Sequence, residues 1–444
     1  MASAKEHLLK AIELQPDFVD ARYQLALLYS REDDLPNAIG QLETLLQTKP
    51  DHTDALELLA KLHLQHAEFS EAKSNLESIL ANDPRNPDAH YQLGIAALET
   101  NQPHDAIYHF EKTLQQDPDY LDAYFQLGLL HDSPEDFAKA RSYFETTIDY
   151  DPTHIAGHFR LGLLLRHGNR YDQTGNLLHG GFDEEARKEF EATLRLNPKH
   201  AEAMAELGQI QAENKEKAQA IQTLSKALEL NPARIDAWLT LAILQPIEEA
   251  GKTLQQALEV HPQHPTLHIR TAQLALSRQS NLKAEKHFQL TIEHSLSQNT
   301  KLRQEANDLL AHNQFIQARK IEADIAKFNH HRAEAHYQLS LMAQTKEDTQ
   351  QVRQHLDEGI IANPHHPGIL HQLAIDESLN QNDELAIELL RKSVEIEIQN
   401  PEAHFLLATL LEKKGDIEMA QNHYLITLDL QPDHPEAKAR IIPT

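Results

Sequence analysis

The chain has 444 residues, no cysteine and a net charge of −27. The lack of cysteine excludes disulfides, thiol nucleophiles and cysteine-ligated zinc sites, and the negative charge disfavours nucleic acid and anionic membrane surfaces as partners. The sequence has no apolar run long enough to span a membrane and no secretory signal sequence, so we expect a cytoplasmic protein by default, with an extracellular location open if the chain is processed or forms a filament.

Residues 1–18 predict one amphipathic helix, over 2–15. Regular helix pairs are predicted over 19–166, because Pro16, Pro50, Pro84, Pro118 and Pro152 lie 34 residues apart and a similar phrase follows each, as in PRNPDAHYQLG and PDYLDAYFQLG. A fixed period of this length is typical of repeat proteins, in which each unit packs only on its neighbours.

Each period contains one small residue in its first half and one in its second half. The first set includes Ala26, Gly94 and Gly128, and the second set includes Ala38 and Ala140. Small residues let two helices approach closely where they cross, and bulky neighbours fill the flanking space. We therefore expect Gly128 and Ala140 to lie at one tight helix crossing.

Beyond residue 166 the pattern is less regular. Residues 167–182 are rich in glycine and predict an inserted loop, and 183–265 predict further pairs, one with a turn shortened by four residues at Pro246. Residues 266–331 predict divergent pairs, since the 34-residue grid passes through Leu296 and His330 where proline is lost. Residues 332–434 predict regular pairs again, and 435–444 predict a lone first helix ended by Pro443.

These columns resemble the tetratricopeptide repeat family, a 34-residue helix–turn–helix with Leu-Gly in the first helix, Ala and an aromatic in the second, and a closing proline. The resemblance covers nearly the whole chain. It implies an all-α, right-handed superhelical solenoid of about twelve repeats with a half repeat at each end. Its concave groove would bind a protein or peptide.

By family geometry, the fifth and ninth positions of each first helix face that groove. In the third to fifth repeats both positions are apolar and predict a stripe that binds an amphipathic helix or an extended apolar peptide. The alternative is ordinary packing between repeats. The stripe consists of Tyr91, Ile95, Phe125, Leu129, Phe159 and Leu163.

The second position of most first helices is acidic, as at Asp88 and Asp122. These acids either form a track for basic side chains or stabilise the helix N-termini. The Lys and Asn clamp of the chaperone-binding subset of the family is absent, because the fifth position is aromatic or acidic. We therefore do not expect a co-chaperone.

The 29 histidines include five at the fourth position of first helices, which indicates packing against the neighbouring repeat. These five are His90, His158, His268, His336 and His404. A metal site would need two or three histidines to converge with a carboxylate. The sequence by itself predicts no metal site, no cofactor and, since it contains none of the common catalytic motifs, no enzyme.

Two non-enzymatic functions compete, and a third, an interaction domain excised from a larger enzyme, stays open. The chain is either an adaptor that binds peptides or a subunit that assembles head to tail, because its lone terminal helices are complementary halves of a repeat. The expected end-to-end interface is apolar and consists of Leu8, Leu9, Ile12, Ala437, Ile441 and Ile442.

Overall fold

The structure is a computed structural model that describes residues 2–132, 136–167, 169–171, 177–179, 182–311 and 315–441. These residues form two compact units, Met1–Asn214 and Lys215–Thr444. Within each unit every helix packs on the next one along the chain. The all-α class is confirmed, with one small addition described below.

The first unit contains twelve helices and one hairpin. The helices are α1 (Ala2–Leu14), α2 (Val19–Arg31), α3 (Leu35–Thr48), α4 (Thr53–Gln65), α5 (Phe69–Asn82), α6 (Pro87–Glu99), α7 (Pro103–Gln116), α8 (Leu121–Leu130), α9 (Phe137–Tyr150), α10 (Ile155–His167), α11 (Asp183–Leu196) and α12 (Ala201–Glu213). The hairpin lies in the predicted insertion, where β1 (Asn169–Tyr171) pairs antiparallel with β2 (Leu177–His179), Asn169 opposite His179. The predicted loop therefore contains a short two-stranded ladder.

The second unit contains twelve helices within the part that the structure describes. They are α13 (Lys217–Leu230), α14 (Ile235–Leu244), α15 (Ile247–Val260), α16 (Pro265–Ser277), α17 (Asn281–Ala311), α18 (Phe315–Thr345), α19 (Thr349–Ala362), α20 (Pro367–Leu379), α21 (Asp383–Ile396), α22 (Pro401–Lys414), α23 (Ile417–Leu430) and α24 (Pro435–Arg440). Among the described residues of both units, none belongs to a helix that is both long and apolar enough to cross a membrane.

Local sequence explains where the regular helices begin and turn. Proline occupies the first position of α6 and α22, and the preceding Asn86 and Asn400 accept a hydrogen bond from the third backbone N–H, at 2.8 and 3.0 Å. This is the usual way to satisfy a free N–H at a helix start. The turn inside a pair contains a residue with positive φ, such as Asn101 (56°) or Gly415 (91°).

The core consists of the two small columns and the aromatic residues that cover them. The positions of Gly128 and Ala140 are both buried. The side chain that lies over Gly128 is Phe144, since a Cβ built on Gly128 would be 2.6 Å from the Phe144 ring. Gly94 and Phe110 form an equivalent pair at 2.5 Å. A glycine here therefore makes room for a full phenylalanine ring.

One prediction of element boundaries is wrong. The 34-residue grid places turns near Leu296 and His330, but α17 and α18 each run through these positions as continuous helices of 31 residues. The reason is that residues 281–345 contain neither proline nor glycine, so nothing breaks the helices. Two helices, each about 46 Å long, replace the divergent short pairs expected there.

Candidate functional site

The predicted stripe lies on three helices of the first unit. Tyr91 and Ile95 are on α6, Phe125 and Leu129 on α8, and Phe159 and Leu163 on α10. Residues four apart on a helix share a face, so each pair points to the same side. All six side chains are half-buried, which leaves part of each available to a ligand.

Each Phe ring of the stripe is held between two other rings. The Phe125 centroid lies 5.9 Å from that of Phe144 and 5.0 Å from that of His154. Phe159 lies 6.1 Å from Phe190 and 4.5 Å from His200. Offset and tilted aromatic pairs at these distances are favourable, so the exposed edges are presented in fixed orientations.

Tyr91 is held in the same way on α6. Its ring lies 5.5 Å from Phe110 and 4.9 Å from Tyr120. The Tyr120 hydroxyl donates a hydrogen bond of 2.9 Å to Asp88, the acid at the second position of α6. Burial, and then the charge of Asp122, raises the pKa of the Tyr91 phenol to about 12, so this ring is neutral.

The ring that follows each groove aromatic belongs to a feature that the sequence reasoning missed. The same contact recurs in both units, between Tyr23 and His52 at 5.6 Å and between Phe405 and His434 at 4.4 Å. His52 and His434 are also helix caps, whose Nδ1 accepts the N–H of the third residue of the next helix, at 3.3 and 3.2 Å. One imidazole therefore joins consecutive helix pairs.

A sequence signal for this joint exists. The histidine stands two residues after the grid proline, in a Pro-x-His pattern. It occurs at His52, His154, His200, His366 and His434.

The core contacts divide the stripe into two parts. Phe125, Leu129, Phe159 and Leu163 pack against one core cluster, formed by α9 to α12. Tyr91 and Ile95 pack against the neighbouring cluster, formed by α6 to α8. The structure thus places four of the six predicted residues on one continuous core and the other two on the adjacent one.

The fourth-position histidines have a different partner from the one expected. His90, His268, His336 and His404 do not rely on a neighbouring repeat, because each lies with its Nδ1 at 3.0–3.2 Å from the Nδ1 of a second histidine 19 residues later. That histidine lies on the following helix. The fifth, His158, contacts Glu189 at 2.6 Å instead.

The residues predicted to join chains end to end have mixed environments. Leu8 and Ile12 are partly buried against the core of α2 to α4, while Leu9 is 40% exposed. Ala437 is fully buried against its own chain and so offers no surface to a second copy. Ile441 is half-buried against the same core, and Ile442 lies outside the described residues.

Sequence comparison finds one family. Family models of the tetratricopeptide repeat match residues 7–47, 57–120, 125–173 and 181–235. These segments contain all six residues of the stripe.

Curated relatives match over short stretches only. The "Peroxisomal targeting signal receptor" of Komagataella phaffii is 42% identical over 59 residues, which is 13% of this chain and 10% of that protein. The receptor of the same name from Pichia angusta is 34% identical over 110 residues, 24% of this chain and 18% of that protein. The chain therefore matches less than a fifth of either relative's length.

Solved structures give a similar result. The crystal structure titled "Functional Characterization of Pseudomonas Aeruginosa pilF" shares 20% identity, with a TM-score of 0.41, over 50% of this chain and 94% of that one. On its repeated columns, its helix pairs and the matching family models, the chain belongs to the tetratricopeptide repeat family, whose members serve as protein-interaction scaffolds.

Proposed function

We propose that the chain is a non-enzymatic interaction scaffold that binds a peptide along the stripe of Tyr91, Ile95, Phe125, Leu129, Phe159 and Leu163. The observation that carries the proposal is that all six side chains are half-buried at regular spacing, with their aromatic rings fixed by flanking rings. Rigid aromatic surface loses little entropy when a ligand binds, which favours its use in recognition.

The charge around the stripe selects the class of peptide. Asp88 and Asp122 are exposed on α6 and α8, at the starts of the helices that carry the stripe. We therefore propose a peptide that combines apolar side chains with Lys or Arg, so that the apolar residues cover the rings and the cations face the acids. The partial likeness to proteins named as receptors of a targeting signal is consistent with a peptide ligand.

A peptide library displayed on phage and selected on the full chain tests this proposal. Peptides that bind the wild type should lose at least tenfold in affinity, or about 1.4 kcal/mol, in the variant Phe125→Ala with Phe159→Ala. Tyr108→Ala is the matched control, because Tyr108 is an exposed aromatic (54%) on α7, outside the stripe. Equal affinity for all three proteins would refute the assignment, provided that circular dichroism shows equal helicity.

We propose self-association through α1 as a second, separate function. It is supported by Leu9 and Leu14, which are 40% and 81% exposed on that helix. A second copy is the proposed occupant of this surface, with Ile441 at the other side of the contact. Light scattering should detect concentration-dependent assembly that Leu9→Asp abolishes, and a monodisperse monomer at high concentration would contradict it.

A further inference from the structure

The four histidine pairs share a geometry that suits a metal ion. In each pair two Nδ1 atoms lie 3.0–3.2 Å apart. Two imidazole nitrogens bound at 2.0–2.1 Å to one tetrahedral zinc ion are about 3.3 Å apart. The spacing of these pairs is therefore close to that of two ligands on a single ion.

Only one of these four pairs has a carboxylate at the next turn of the second helix. His336 and His355 are accompanied by Glu358, and one ligand atom from each of the three residues lies within 4.8 Å of the others. The equivalent position is occupied by lysine, leucine or isoleucine in the other pairs. These residues are Lys112, Leu290 and Ile426.

The fold explains why Glu358 comes close to His336. In the other three pairs, Nε2 of the first histidine contacts a backbone carbonyl oxygen six residues earlier, in the turn before its helix, as His268 does at 2.8 Å. Around His336 the turn is replaced by the continuous helix α18, and Nε2 faces the Glu358 carboxylate at 3.5 Å instead. Gly359 permits this close approach of α19, since a Cβ there would lie 3.1 Å from His336 Cβ.

The protonation of the three groups also suits a cation. Burial lowers the pKa of His336 to about 4 and lowers that of His355, so both imidazoles are neutral ligands at neutral pH. The Glu358 side chain is 48% exposed, which leaves an entry path and lets it turn toward the ion. Its other oxygen accepts a 2.9 Å hydrogen bond from Gln354. Arg332, one turn before His336, is the nearby positive charge that opposes a cation.

We propose that His336, His355 and Glu358 bind one divalent transition-metal ion of the zinc class. Two neutral nitrogens and one carboxylate form a three-ligand set that zinc accepts, with a water completing the coordination. The ion would tie α18 to α19. This proposal is independent of the peptide stripe and of its test.

The test is titration of the tag-free full chain with Zn²⁺ in competition with a chromogenic chelator. We expect one zinc per chain that binds more tightly than any other. His355→Ala should abolish this binding, and Glu358→Gln should weaken it by more than the about 10- to 100-fold that loss of an outer-shell partner costs. Co²⁺ should give the visible absorption bands of a tetrahedral site in the wild type only.

The chain supplies its own matched control. His287→Ala breaks a pair of the same geometry, His268 with His287, that has no carboxylate, so it should leave the tight site intact. Glu358→Gln changes an exposed side chain and preserves the fold, so a result is obtained even if His355→Ala unfolds α19. Equal zinc affinity in the wild type, Glu358→Gln and His287→Ala, or the absence of any tight site, would overturn the proposal.

Discussion

The close contact between Gly128 and Phe144 predicts a specific energetic coupling. A Cβ at position 128 would lie 2.6, 2.8 and 3.0 Å from three atoms of the Phe144 ring. Carbon atoms prefer separations of about 3.5–4.0 Å, and Phe144 is buried within the core, so Gly128→Ala forces the ring to move. We expect this strain to cost about 1–3 kcal/mol.

A gain in helix propensity offsets part of that strain. Alanine is about 0.8–1.0 kcal/mol better than glycine inside a helix, so the net loss for Gly128→Ala should be about 0–2 kcal/mol. Gly40→Ala isolates the gain, because Gly40 lies inside α3 with nothing within 4 Å of a built Cβ. This control should stabilise the chain by about 0.5–1 kcal/mol.

A second substitution should relieve the strain. Leu42 stands 16 residues after Ala26, as Phe144 stands 16 residues after Gly128, so Ala with Leu is an existing solution at this crossing. Phe144→Leu alone loses buried contacts, but combined with Gly128→Ala it removes the clash. The double variant should therefore be about 1–3 kcal/mol more stable than the sum of the two single effects.

The assay combines urea unfolding, followed by circular dichroism, with hydrogen exchange of the α8 and α9 amides. Hydrogen exchange is needed because long repeat arrays do not always unfold in one step. If the two substitutions add to within about 0.5 kcal/mol, the ring does not cover Gly128 and the inferred packing is wrong.

Two further predictions concern a turn and the histidine pairs. Gly415→Ala should cost about 1 kcal/mol by urea unfolding, because Gly415 has φ 91° with open space around it, so the loss is purely conformational; an unchanged stability would contradict the turn geometry. Burial, and then the paired histidine, lowers the pKa of His109 and of His287 to about 4, so the unfolded chain binds more protons between about pH 4 and 6.5. The melting temperature should therefore fall as the pH is lowered through this window, less steeply in His109→Asn with His287→Asn; equal slopes for the two proteins would contradict the assignment.

The repeated columns predicted the core because their residues have only one suitable environment. Ala26, Ala38 and Ala140 are fully buried, as small residues at a helix crossing should be. Ala242 is only half-buried, and it lies just before the turn that Pro246 shortens. A column therefore predicts burial only where the spacing of the pair is preserved.

The long helices α17 and α18 could not be predicted from the period. The grid positions Leu296 and His330 continue to count in multiples of 34, but a turn requires residues that stop a helix. Since none is present, the helices continue. The absence of proline and glycine was the stronger signal, and it was visible in the sequence.

The candidate sites depend on contacts between residues far apart in the chain. The stripe was predicted from its positions, but the rings that fix it, such as His154 beside Phe125, required the packing of consecutive repeats. Glu358 beside His336 required the continuous α18, which the repeat pattern did not predict. Periodicity predicts which face a residue occupies but not which side chain meets it.

Site-specific photocrosslinking tests the central claim, that the stripe binds peptide, most directly. A photoreactive benzoylphenylalanine would replace Phe125, Phe159 or, as the control, Tyr108, and each full chain would be irradiated with a peptide selected on the wild type. The account predicts crosslinks from positions 125 and 159 and none from 108. Crosslinks from position 108 alone, or from no position although the peptide binds, would show that the ligand lies elsewhere and would contradict the account.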